Sequence, residues 1–218
     1  MIDLSIVFPT ANRLLYLTRC IESVRTHIGD LSYEFVIVDS GSTDGTAEYL
    51  ATQQDVKLIQ HGELLGANKA FRDGLLAASG DYVCQLSDDV EIVDECLSAS
   101  VEILRADETI GQVAFYFSHP PAAPALGLAT VGKQKVLFCA FGVTPRKIGE
   151  LVDWWSPEYY QQYGDPDFSC KIRQAGYRIV PLEGYHIIHR SAERDAALRR
   201  RNREDGAIYA AKWMVPNG

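Results

Sequence analysis

The 218-residue chain has no C-x-x-C pair, no apolar run of membrane length and no excess of positive charge. Its five cysteines, Cys20, Cys84, Cys96, Cys139 and Cys170, are odd in number and scattered. That argues against a disulfide framework and a cysteine zinc site, and it fits a reducing, cytoplasmic setting. A membrane helix needs about 20 apolar residues, and no stretch comes near that. No integral membrane segment is therefore expected, and any membrane association is peripheral, through a partner or a lipid-linked substrate. The stretch MIDLSIVFPT is short, follows an acid and stops at Pro9. It reads as a strand rather than a signal peptide. The net charge of −8 argues against a nucleic-acid or anionic-membrane binder.

What is present is ordinary globular material, 47% hydrophobic and 23% charged. No linker or repeat divides residues 1–218, so one α/β domain is expected. Its first 90 residues alternate short apolar runs with helical patterns. Strands are expected at Leu4–Phe8, Phe35–Val38, Val56–Ile59 and Tyr82–Leu86. Leu14, Leu17, Ile21, Val24 and Ile28 recur at helical spacing, with Asn12 placed to cap that helix. A short helix carries Ala47 and Leu50, and a longer one covers Leu65–Ala78. This order implies a parallel sheet of right-handed βαβ units with helices on both sides.

The second half is less regular. Helices are expected at Leu97–Leu104, Asp167–Ala175 and Ala192–Lys212, the last carrying the basic run RRRNR. Strands are expected at Val113–Phe117, Val136–Phe141, Arg178–Leu182 and Tyr185–Ile188, as a small antiparallel addition. The Pro-, Ala- and Gly-rich segment 118–133 reads as a mobile surface loop.

Two acidic clusters follow apolar runs: VIVDSGSTDGT at Val36–Thr46 and YVCQLSDDVEI at Tyr82–Ile92. Carboxylates at the carboxyl ends of parallel strands sit where open α/β sheets bind ligands. Beside a phosphate-bearing ligand they commonly hold Mg²⁺ or Mn²⁺. Asp39 can accept a hydrogen bond from a base or ribose, or it can serve only as a turn residue. Asp44 reads as a helix cap.

The order of these motifs resembles a family 2 glycosyltransferase of the GT-A fold. The residues carrying the likeness are Pro9, Thr10, Ala11, Asn12 and Arg13, then VDSGSTDGT, then Gly66–Gly74, Gly80–Tyr82, and Ser87, Asp88 and Asp89. It extends through Gly176 and, weakly, to YAAKW. Ser40, Ser87 and Gly164 stand where the family commonly has acids.

The resemblance implies a nucleotide-sugar donor bound in the first half (1–90) and an acceptor bound in the second (91–218). Pro9, Thr10, Arg13 and Asp39 match positions lining the base and ribose pocket. Arg72 can reach the base or diphosphate, or it is a solvated helical arginine; Lys69 reads as solvated. Asp88 can assist the metal or contact the ribose, Ser87 stands at the first-acid position on the donor side, and Asp89 matches the metal-binding acid. His186 and His189 are both candidates near the metal, and His189 fits better by position. Glu91 reads as solvated.

In YGDPDFSCKIRQAGY, the match places the acceptor-activating base at Asp165, with Asp167 as a helix cap or acceptor-site residue. A carboxylate suits that task because it can take the proton of the attacking hydroxyl. Both acids can also serve as caps, since Pro166 suits a first helical turn. Trp154, Trp155, Tyr159, Tyr160 and Tyr163 precede them and are either sugar-stacking or packing residues.

The function so implied is inverting, metal-dependent transfer from a nucleotide-diphosphate sugar, UDP-sugar foremost. The acceptor hydroxyl belongs to a saccharide, a lipid-linked compound or a small molecule. A sugar-phosphate nucleotidyltransferase is the enzymatic alternative, but PTANR lacks its Gly-rich basic loop. A degenerate binding module is the other, kept open by the three replaced acids.

Overall fold

The computed structural model describes residues 2–190 and 196–214. An eight-stranded sheet runs in the order Val56–His61, Tyr33–Ser40, Leu4–Thr10, Tyr82–Gln85, Gly142–Pro145, Ile110–Ser118, Arg178–His189, Val90–Ile92. Its first half comprises β1 (Leu4–Thr10), α1 (Leu14–His27), β2 (Tyr33–Ser40), α2 (Thr46–Ala51), β3 (Val56–His61), α3 (Ala67–Ala77) and β4 (Tyr82–Gln85). Strands β3, β2, β1 and β4 are mutually parallel, as the alternating pattern requires. β1 lies at the centre of this half. Its residues Leu4, Ile6 and Phe8 face one layer, with Leu17, Ile21 and Val24 of α1. Val7 faces the other, with Val36 and Leu75. Gly74 lets α3 lie close on that face, because a Cβ there would stand 2.6 Å from Val7 Cγ1.

The second half comprises β5 (Val90–Ile92), α4 (Cys96–Ala106), β6 (Ile110–Ser118), β7 (Gly127–Val131), β8 (Gln134–Phe138), β9 (Gly142–Pro145), α5 (Arg146–Leu151), α6 (Gly164–Gln174), β10 (Arg178–His189) and α7 (Ala196–Tyr209). A π-helical turn, Ala210–Met214, continues α7. β9 enters antiparallel between β4 and β6, β6 pairs parallel with β10, and β5 pairs antiparallel with β10. α4 joins the layer of α1, while α5 and α6 pack with α3 on the opposite face. The hairpin β7–β8 forms a separate two-stranded antiparallel sheet. Ala129 of β7, Tyr159, Cys170, Tyr209 and Trp213 form a third small core beside it. The result is a mixed α/β fold, mostly parallel, with helices on both faces and a small antiparallel addition.

Several expectations are corrected. Segment 118–133 is not wholly a loop, because Gly127–Val131 pairs with Gln134–Phe138 as a hairpin. Val136–Phe141 is not one strand: the chain leaves β8 after Phe138 and re-enters the main sheet at Gly142. Arg178–Leu182 and Tyr185–Ile188 form one strand whose register shifts between Pro181 and His186, where Gly184 takes a positive φ of 85°. Asn12 does not cap α1. It sits at φ 54° and accepts from Thr43 N, while Asp44 accepts from Leu14 N at the helix start. Asp44 also accepts from Thr46 N and Oγ1, so one carboxylate serves the starts of α1 and α2. The start of the last helix at Ala192 lies outside the described residues. Among the described residues, no helix is long and apolar enough to cross a membrane. All five cysteines are free and buried.

Candidate active site

Strand order reverses about β1, with β2 and β3 on one side and β4 on the other. Ligand sites of open α/β sheets lie at the carboxyl ends of strands at such a switch. Thr10 ends β1 and lies in register with Asp39 near the end of β2. Pro9, half-buried, precedes it opposite Val38. Asp39 is buried and accepts from the backbone N–H of Ser42 at 3.2 Å and from its hydroxyl. Ser87, Asp88 and Asp89 follow β4 at the same edge.

Asp88 and Asp89 are both buried, at 2% and 5% exposure, and share one cation. Arg13 places one nitrogen 2.7 Å from Asp89 Oδ2 and another 3.3 Å from Asp88 Oδ1. Thr10 Oγ1 donates to Asp88 Oδ2 at 2.9 Å. Burial raises the Asp88 carboxyl to about 7, against the pull of Arg13. Burial would raise Asp89 too, but His189, the Ser87 hydroxyl and Arg13 outweigh it and hold that carboxyl well below its usual range. The antiparallel register of β5 and β10 puts His189 beside Val90, so its Nε2 comes to 3.1 Å from Asp89 Oδ1. The His189 ring stands edge-on to Phe141 at 5.0 Å and packs on His119 at 4.7 Å.

Asp89 Oδ1 is buried without a hydrogen-bond partner of good geometry, as is His189 Nδ1. A buried carboxylate oxygen so placed beside an imidazole nitrogen fits a divalent cation. Two protein donors suffice for Mg²⁺-type sites, where substrate phosphates and water complete the shell. Among the described residues, no group of three or more His, Cys, Asp or Glu side chains is arranged to hold an ion unaided.

A cavity of about 510 Å³ opens from this edge, lined by Arg13, Ser87, Asp89 and His189 on one side and by Trp155, Tyr163 and Asp165 on the other. Asp165 stands in the first turn of α6, which follows Tyr163 in the left-handed conformation and has no side-chain cap. Its carboxyl contacts its own backbone N–H. It is partly open to the cavity yet surrounded by protein, and that burial pushes it up to about 7.

Two expected site residues point elsewhere. Asp167 is fully buried, accepts from Ser156 Oγ, from Tyr159 OH at 3.2 Å and from Trp213 Nε1 at 2.7 Å, and pairs with Lys212 at 2.8 Å. It neither lines the cavity nor caps α6; it anchors the π-helical turn, because two residues after Asp165 the side chain has turned about 200° round the helix, away from the cavity. Arg72 also does not line the cavity. Its guanidinium donates to the carbonyls of Asp153 and Trp155 at 2.9 and 2.6 Å and pairs with the Asp153 carboxylate at 2.8 Å. It braces the segment before Asp165. His186 is absent from the cavity wall, whereas Lys69 is exposed and Glu91 pairs with Arg190, away from the cavity.

Sequence reasoning missed Asp205 and Asn202 of α7. Asp205 accepts the backbone N–H groups of Tyr160, Gln161 and Gln162 at 2.9, 2.8 and 2.9 Å. Asn202 lines the cavity with its Oδ1 unpaired. His119, just past β6, touches the backbone carbonyl and ring of His189. An acid four residues before Tyr209 in a charged helix carries no local signal of burial.

Asp89, at the switch edge of a mostly parallel sheet, and Asp165, in the first turn of α6, line one cavity. The sequence model of glycosyl transferase family 2 matches residues 5–160. The chain belongs to that family, and so to the glycosyltransferases as an enzyme class. It is 29% identical over 112 residues to a dolichol-phosphate mannosyltransferase of Pyrococcus furiosus, covering 49% of this chain and 32% of that protein. It is 32% identical over 114 residues to an uncharacterized glycosyltransferase of Nostoc sp., covering 50% and 34%. The chain thus spans about a third of the length of these curated relatives. In fold it is similar to the mannosyltransferase PcManGT from Pyrobaculum calidifontis, solved with GDP-Man and Mn²⁺, at TM-score 0.72 and 20% identity over 97% of this chain and 66% of that one. It is also similar to residues 1–349 of S. aureus TarS, at TM-score 0.69 and 17% identity over 96% of this chain and 72% of that one. Asp165 and α7 lie beyond the matched family segment.

Proposed function

We propose that the protein transfers a sugar from a nucleotide-diphosphate donor to an acceptor hydroxyl, with inversion and with Mg²⁺ or Mn²⁺ bound. A uridine diphosphate donor is the first choice. The carrying observation is the buried Asp89 Oδ1 standing 3.1 Å from His189 Nε2 in the cavity that Asp165 also lines. Relatives in complex with GDP-Man and Mn²⁺ or with UDP-GlcNAc support a nucleotide-sugar donor. In this reading residues 1–90 hold the donor and residues 91–218 the acceptor.

Thr10, Pro9 and Asp39 form the base and ribose side, with Asp39 Oδ accepting from the nucleoside. Asp89 and His189 would hold the ion, His189 in its neutral form. When bound, the ion offsets charge on the leaving diphosphate. Arg13 keeps two adjacent carboxylates from repelling that diphosphate, and Ser87 offers a hydroxyl at the same rim. Asp165 takes the acceptor proton at a carboxylate oxygen, in a cavity whose walls limit water. Opposed placement of base and leaving group gives inversion.

A thermal-shift panel of UDP, GDP and their sugar conjugates tests this, with Mn²⁺ or with chelator. A ligand at a hundred times its Kd stabilises the folded state by about 2.7 kcal/mol. At least one nucleotide should do so with Mn²⁺, and Asp89→Asn should remove most of the metal-dependent part. An equal shift in chelator would refute the metal role, and no shift with any nucleotide would refute the reading itself.

A further inference from the structure

We propose that the cavity wall around Asp165 is an acceptor subsite for an uncharged saccharide, read by the indole N–H of Trp155 and the amide of Asn202, and not a site for a lipid phosphate. This rests on the glycosyl-transfer reading above and narrows it to one acceptor class.

Trp155 Nε1 and Asn202 Oδ1 are both buried and both lack a partner, and both side chains line the cavity. Native interiors rarely leave such groups unpaired, because each forgoes its water without replacement. One is a donor and the other an acceptor. A sugar hydroxyl is both at once, so a ring carrying neighbouring hydroxyls can satisfy the pair. The amide of Gln162 and the ring of Tyr163 border the same wall, adding a polar group and apolar surface for a sugar's C–H face.

The wall is built to be uncharged. A Cβ at Gly164 would stand 1.9 Å from Asn68 Oδ1 and 2.3 Å from the Trp155 ring. No side chain fits there, so Trp155 and Asn68 occupy the place beside Asp165. Asn68 is fixed by its Nδ2 donating to Ser156 O at 2.8 Å. Among the described residues, Arg13 and His189 are the basic side chains of the lining, and both face Asp89. Among the described residues, no unpaired cation of the lining stands beside Asp165 to meet a phosphate brought to it. The chemistry agrees. A phosphate oxygen is already ionised at neutral pH and needs no base, whereas a hydroxyl must lose its proton as it attacks.

The test uses the full chain loaded with the nucleotide and Mn²⁺ found by thermal shift. Saturation-transfer NMR is recorded with a panel of methyl glycosides, and nucleoside diphosphate release is followed with each glycoside and with a short-chain polyprenyl phosphate in micelles. We expect a glycoside to bind and to stimulate release, and polyprenyl phosphate to do neither. Trp155→Phe and Asn202→Leu should each weaken the glycoside by about tenfold, the scale of one hydrogen bond to a ligand. Nucleotide affinity in both should stay within about twofold, which a general loss of fold would not allow. Should Asn202→Leu lose nucleotide binding, Asn202→Ala and Trp155→Phe decide. Turnover of polyprenyl phosphate would overturn the proposal, as would nucleotide binding without binding of any glycoside, or unchanged glycoside affinity in the variants. Failure of the underlying reading looks different: no nucleotide binds at all.

Discussion

Asp165→Asn is expected to lower sugar transfer by about 10²–10⁴-fold, the usual worth of a general base, while donor and metal binding persist. Asparagine keeps the shape of the side chain but cannot accept the acceptor's proton. Its amide oxygen can keep the contact that the carboxyl makes with its own backbone N–H. The wild-type rate should also carry its signature in pH. Burial pushes the Asp165 carboxyl up to about 7, and only the ionised form acts as base. Transfer should therefore rise as pH increases through about 7 and then level, unlike an ordinary carboxylate, which is already ionised by pH 6. Stability runs the other way. A carboxyl whose folded-state pKa lies above its unfolded value stabilises the fold below the unfolded value, and that contribution is lost as pH rises from about 4 to about 7. Asp165→Asn removes this loss, so the variant should gain stability relative to wild type at pH 8 but not at pH 4. Rate–pH profiles and melting temperatures of both proteins check this. A full rate in Asp165→Asn, or loss of donor binding in it, would remove Asp165 from the role of base.

How far this site is legible from sequence depends on how each part is encoded. The βα units of the first half announce themselves, because β1 and β2 are buried apolar runs, each followed by a polar turn and a helix. Asp39, Asp88 and Asp89 sit at strand ends in that frame, so their place at the sheet edge follows directly. The second half is built from antiparallel insertions with no such signal. β9, Gly142–Pro145, contains glycine and proline, and β5 is three residues long. β7 lies in an Ala/Gly-rich stretch that propensity assigns to a loop. Arg72 and Asp167 show the limit at the level of side chains. Both stand on helices near the cavity, but their faces are set by packing partners 81 and 46 residues away, Asp153 and Trp213. No local pattern carries that information. His189 was legible by position in the motif, while its neighbour His119 was not, because the contact arises from β6 and β10 lying side by side.

Asp205→Ala is expected to cost about 3–5 kcal/mol of stability, the range for removing one partner of a buried charged network. Asp205 is 2% exposed, and both carboxylate oxygens are used by three successive backbone N–H groups. Alanine leaves all three donors without a protein partner, and a buried donor so orphaned costs about 1–3 kcal/mol. Water entering beside α7 recovers part of the sum, which sets the lower figure. For a chain of 218 residues the loss corresponds to a fall in melting temperature on the order of 10 °C. The damage should not stay in α7. The segment 160–162 is also tied to α3, where Tyr160 O accepts from Asn68 N at 3.1 Å and Gln161 Oε1 from Ala67 N at 3.2 Å. It forms the wall just before Asp165, so loosening it should raise acceptor KM more than donor KM. Asp205→Asn should fall between wild type and alanine, since one oxygen still accepts while the new amide meets an N–H. Thermal unfolding and hydrogen exchange at the amides of 160–162 measure the two effects. Wild-type melting together with unchanged protection of those three amides would show that α7 does not hold the acceptor wall.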